Sequence, residues 1–137
     1  MKNKLLLLLL VTTSFSSCIK KAIEDSQRQK VIDAVTKGTW YVSSFKTDDN
    51  DITSYFDGYL FYFKEDGSVQ AVRNNEVLNG TWIGDLSSKT ITSEFNPAPP
   101  PIVLLNGTWD IKDSYLNYIV ASMVTVSGKH ELGLRQQ

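Results

Sequence analysis

From residue 39 onward, apolar and polar side chains exchange every second position in short runs. A period of two belongs to a half-buried strand, and the runs at 39–46, 59–64, 68–73, 77–83, 89–95, 108–112, 115–121 and within 123–135 predict about eight strands rich in Val, Ile, Thr, Tyr, Phe and Trp. Turn residues divide them: Asp57-Gly58, Glu65-Asp66-Gly67, Asn74-Asn75, Gly84-Asp85, Asn106-Gly107 and Asp113-Ser114. The spacing leaves no room for parallel crossovers, so the domain is all-β and antiparallel. Phe61 and Phe63, Val69 and Ala71, Ile91 and Phe95, and Trp109 and Ile111 point to an apolar face, while Thr90, Thr92, Glu94, Asp110 and Lys112 point to water. One wet face per strand fits a closed barrel or a two-sheet sandwich.

Ahead of the strands the pattern differs. Residues 19–37 contain no Gly or Pro, and Ile32 and Val35 stand three apart, which predicts a short helix over 26–37 stopped by Gly38. Residues 18–25 are then expected to serve as a tether.

The start of the chain has the layout of a signal peptide over residues 1–17: Lys2 and Lys4, an apolar run over 5–11, then small and polar residues apart from Phe15. That run is too short for a membrane-spanning helix. Phe15-Ser16-Ser17-Cys18 resembles the lipobox of bacterial lipoproteins, which implies cleavage before Cys18 and acylation of its thiol, with palmitate-type chains as a membrane anchor. Two or three chains hold stably where one does not. The mature chain would keep 120 of the 137 residues, with 12 basic against 15 acidic side chains. A surface of that charge offers no polybasic attraction to anionic lipid, so the lipid itself is the anchor. The expected place is the bacterial cell envelope, at the outer membrane, on its periplasmic or surface side.

Composition narrows the chemistry. The whole chain carries 14 Lys and Arg against 15 Asp and Glu, a net charge of −1, and predicts no nucleic-acid partner. One Cys and one His cannot make an internal disulfide or a Cys/His zinc site. His130 is the single imidazole, and Glu131 beside it faces the other way on a strand, so no catalytic residue is assigned and the chain is not expected to be an enzyme. Asp48-Asp49-Asn50-Asp51 invites a calcium reading, but a loop of the EF-hand kind starting at Asp49 would have Ser54 and Leu60 where Gly and Glu are needed. A solvated acidic loop is the expectation, with no metal and no cofactor. A monomer is expected.

Gly-Thr-Trp occurs at residues 38–40, 80–82 and 107–109, at unequal separations that are not those of a repeat array. Gly allows a close approach, Thr faces water and Trp buries a ring. Gly38-Thr39-Trp40-Tyr41-Val42, following a helix and opening an all-β run, resembles the Gly-x-Trp start of lipocalins. Asp113-Ser114-Tyr115 stands near a second lipocalin signature, and Phe63-Lys64-Glu65-Asp66-Gly67-Ser68-Val69 resembles a hairpin of the compact lipocalin-like bacterial lipoproteins. The resemblance spans about residues 26–137. It implies a small eight-stranded up-and-down barrel closed below by a short N-terminal helix, with Arg135 packed over Trp40 as a cation–π closure. It also implies a small apolar ligand held by Trp40, Phe61, Phe63, Trp82 and Trp109 and gated by Tyr55, Phe56 and the Pro-rich 97–102 segment. Loops 47–58, 74–76 and 96–106 and the turn within 123–130 would line the open end. The alternative is an interaction module at the cell envelope whose core is filled.

Overall fold

The computed structural model describes residues 15–137; of the signal peptide expected over 1–17, residues 1–14 lie outside the described residues. A helix, α1 (Phe15–Thr36), precedes nine strands: β1 (Trp40–Thr47), β2 (Asn50–Asp51), β3 (Leu60–Phe63), β4 (Ser68–Arg73), β5 (Glu76–Asp85), β6 (Thr90–Phe95), β7 (Gly107–Tyr115), β8 (Tyr118–Thr125) and β9 (Gly128–Gln136). From β3 to β9 each strand pairs antiparallel with the next, and β1 closes the ring against β9 from Trp40↔Gln136 to Thr47↔His130. β2 only folds back on the end of β1. The result is a closed eight-stranded antiparallel barrel with one N-terminal helix, which resolves the choice between barrel and sandwich.

The ring is uneven. β1 meets β9 along its whole length but meets β3 at the single register pair Trp40↔Phe61. A bulge between Val42 and Ser44 shifts the alternation of β1, so Trp40, Val42 and then Phe45 face inward. The most deeply buried large side chains are Trp40, Trp109, Phe45, Phe61, Ile102 and Val69, all in the single core enclosed by the strands.

The helix already spans Phe15, the first described residue, and not only residues 26–37, so residues 18–25, expected as a tether, lie inside it. Nothing in that stretch interrupts a helix, since the first Gly is Gly38. Residues 18–31 are exposed, and contact with the barrel begins with the half-buried Ile32 and the buried Val35. The last carbonyls of a helix lack partners within it. Here the barrel supplies them: Gln136 Nε2 donates to Ala34 O at 2.7 Å, and Trp40 Nε1 to Val35 O at 2.8 Å. Among the described residues no helix is long and apolar enough to cross a membrane.

Arg135 does not close the barrel over Trp40. Its register partner is Tyr41, one residue along, so its side chain leaves on the outer face, where its guanidinium lies 6.0 Å from the Tyr118 ring. Gln136 is the residue opposite Trp40 and reaches the helix in its place.

Candidate functional site

The strand order puts α1 and the 64–67, 86–89 and 116–117 turns at one end of the barrel. The loops 48–59, 74–75, 96–106 and 126–127 stand at the other, as the up-and-down order predicts. Of the five residues expected to line a cavity, Trp40, Phe61, Phe63 and Trp109 are buried and Trp82 is half-buried. They pack on one another and on neighbouring rings. Phe63 meets Trp40 edge-on at 6.5 Å between ring centroids and Trp82 at 5.6 Å. Phe61 stacks with Tyr59 at 6.2 Å and meets Phe95 at 6.5 Å. Such spacings are those of touching aromatic pairs, so the rings pack against one another inside the barrel.

The loop end is plugged in the same way. Phe56, in a 3-10 turn over Thr53–Phe56, stacks on Phe45 at 4.9 Å, while its neighbour Tyr55 is 59% exposed and points away from the core. A second 3-10 turn, Ile102–Leu105, ends the Pro-rich loop and drives Ile102 and Leu105 into the core. Its carbonyl at Leu105 accepts from Ser93 Oγ at 2.6 Å and from Trp109 Nε1 at 3.0 Å. Asn106 then mimics a strand partner, accepting from Phe95 N at 2.8 Å and donating to Phe95 O at 3.1 Å. The apolar loop residues are therefore a lid packed into the barrel.

Each Trp of the three triplets donates its indole N–H to a main-chain carbonyl: Trp40 to Val35, Trp82 to Lys64 at 2.9 Å, and Trp109 to Leu105. This satisfies the one polar atom that a buried indole carries and ties a turn or helix end to the wall. The preceding Gly residues are sites of close approach. A Cβ on Gly80 would stand 2.6 Å from Glu94 O, and one on Gly107, whose φ is +130°, would stand 2.6 Å from Met123 Sδ.

His130 joins the core, which the strand pattern does not predict. It is 3% exposed, edge-on to Phe45 at 5.7 Å and Trp109 at 6.5 Å, with Nε2 3.4 Å from Thr125 Oγ1 and Nδ1 unpartnered. Among the described residues no carboxylate bonds it. Glu131 lies on the outer face, held by Lys129 Nζ at 2.6 Å, and that pairing keeps its carboxyl below the usual range. In the acidic loop, Asp48 Oδ1 accepts from Lys129 N at 2.9 Å and Asp51 Oδ1 from both Thr53 N and Thr53 Oγ1, so these carboxylates shape the turns. Outside the barrel, an open depression of about 590 Å³ is bordered by Lys46, Asp110, Lys112, Ser122, Lys129 and Glu131.

No protein-family model matches the chain, and no curated protein matches it. Two solved structures from Bacteroides share its fold. A DUF4847 family protein from Bacteroides vulgatus, solved at 1.00 Å, is 18% identical, with a TM-score of 0.56 over 78% of this chain and 97% of that one. An uncharacterized protein from Bacteroides eggerthii, solved at 2.60 Å, is 12% identical, with a TM-score of 0.50 over 73% of this chain and 98% of that one. At these identities the likeness is one of fold.

Proposed function

We propose that this chain is an exported, lipid-anchored protein of the bacterial cell envelope, with a lipocalin-like barrel that acts through its outer surface and not through an internal ligand. The observation that supports the second half is the packing of the interior: four of the five residues proposed to line a cavity are buried against other rings, and Phe56, Ile102 and Leu105 are buried at the loop end. A carrier would have to part these contacts to admit a ligand, since ligand sites are in the main already formed. The anchor half rests on the lipobox-like Phe15-Ser16-Ser17-Cys18 and on the exposure of Cys18. The outer membrane is the proposed location, with the barrel a monomer there.

Native mass spectrometry of the protein from its own membranes tests both halves. The expected result is a chain beginning at Cys18, heavier by two or three acyl groups and free of any stoichiometric small molecule. An unacylated Cys18 would remove the anchor, and a co-purifying apolar molecule at one per chain would restore the carrier reading.

A further inference from the structure

At the α1 end of the barrel the register places an unusual row on the outer wall. Tyr41 stands opposite Arg135, Arg135 opposite Tyr118, and Tyr118 opposite Tyr115, across β1, β9, β8 and β7. The Tyr115 and Tyr118 rings lie 6.5 Å apart, and Tyr118 donates its hydroxyl to Asp113 at 3.0 Å. Leu116 caps the hairpin tip, and it and Tyr115 are 62% and 69% exposed. The helix leaves from this same end, because Gln136, next to Arg135, holds Ala34. Along the free part of α1, Ile19 and Ile23 share a face at 100° per residue, with Lys20 and Glu24 on its border and Arg28 on the far side. Exposed carboxylates stand at both ends, Glu65, Asp66, Asp85 and Asp113 on the α1 side and Asp48, Asp49, Asp51, Asp57 and Glu76 on the other.

Tyrosine and arginine combine an apolar body with a polar tip and favour the boundary between acyl chains and headgroups. We infer that the α1 end is the membrane-facing end: Tyr115, Leu116 and Tyr118 dock into the headgroup layer of a phospholipid bilayer, and α1 lies along it with Ile19 and Ile23 inward. The inference rests on the lipid-anchor reading, which brings Cys18 to the membrane. Its rival geometry is an upright helix, which at 1.5 Å per residue would hold the barrel about 25 Å above the surface.

The two are separated by amide hydrogen exchange on vesicles of phosphatidylethanolamine and phosphatidylglycerol, with the protein held through its single thiol, Cys18, coupled to a maleimide phospholipid. This anchor works whether or not the cell acylates Cys18, so failure of the acylation reading, seen in the mass of the native protein, is a separate result. Exchange at 115–118 is expected to slow about tenfold on the vesicles relative to the uncoupled protein, with 48–51 and 74–76 unchanged. Unchanged exchange at 115–118 in the coupled protein overturns the inference. The Tyr115→Ser, Leu116→Ser double variant, altered only at exposed positions, is expected to unfold at the same temperature and to lose the slowing; a variant that keeps it overturns the inference equally.

Discussion

Trp40 donates its indole N–H to the carbonyl of Val35, five residues back, at 2.8 Å, so the first residue of the barrel caps the helix before it. The bond is buried, and Trp40 is 1% exposed. Trp40→Phe strands that carbonyl and removes ring volume, and is expected to cost about 2–3 kcal/mol in urea unfolding. Trp82→Phe, whose bond to Lys64 is exposed, should cost under about 1 kcal/mol. Equal losses would mean that the cap has no special weight.

Gln136 and Arg135 exchange the roles that the sequence suggests. Gln136→Ala should speed amide exchange at 32–37 and destabilise by about 1 kcal/mol, while Arg135→Ala leaves that exchange unaltered. Faster exchange at 32–37 in the Arg135 variant would return the closure to Arg135.

A Cβ at Gly80 would collide with Glu94 O and the Phe95 ring, whereas at Gly84 the nearest atom, in Trp82, is 3.7 Å away. Gly80→Ala is therefore expected to cost about 2–3 kcal/mol and Gly84→Ala close to nothing, read from thermal unfolding.

If the rings fill the barrel, removing one makes room. Phe61→Ala should lose about 3–5 kcal/mol and gain a dry cavity that takes up benzene, seen as a rise in melting temperature that the wild type does not show. A similar rise in the wild type would mean that the interior already has space.

Asp51 is held below the usual carboxylate range by the Thr53 hydroxyl and N–H, and Asp66 likewise by Ser68. A lowered folded value stabilises the structure above the unfolded value and is lost as pH falls through the folded one. Cleavage by an acid-active protease within 48–56 and 64–68 should therefore rise only below about pH 4, and Asp51→Asn should raise it at 48–56 already at higher pH. A wild-type rise between about pH 6 and 5 would assign the opening to another group.

Most of the strands are legible because alternation and turn residues are local properties. The sequence missed what depends on register. Trp40 faces Gln136 and not Arg135 because the β1–β9 pairing is set by the closed ring, and Phe45 joins the core because a bulge breaks the alternation after Val42. Ile102 and Leu105 sit in a loop by sequence, and only the fold turns them inward. Trp40, Phe56, Phe61, Phe63 and Trp109 are buried as the pattern predicts, Tyr55 is not, and Phe45, Tyr59 and His130 join them. Whether they line a hole or fill it is a matter of distances between strands, to which periodicity is blind. Residues 15–25 are helical although the pattern predicts a helix only from 26, because they hold no Gly or Pro to stop it.

The seam between β1 and β9 joins the first strand of the barrel to the last. Contacts so far apart in the chain form late, after everything between them has been made. A polypeptide made from its N-terminus therefore holds β1 without its main partner until residues 128–136 arrive. Trimming those same nine residues would leave β1 and β8 as open edges, inviting copies of the chain to pair with one another.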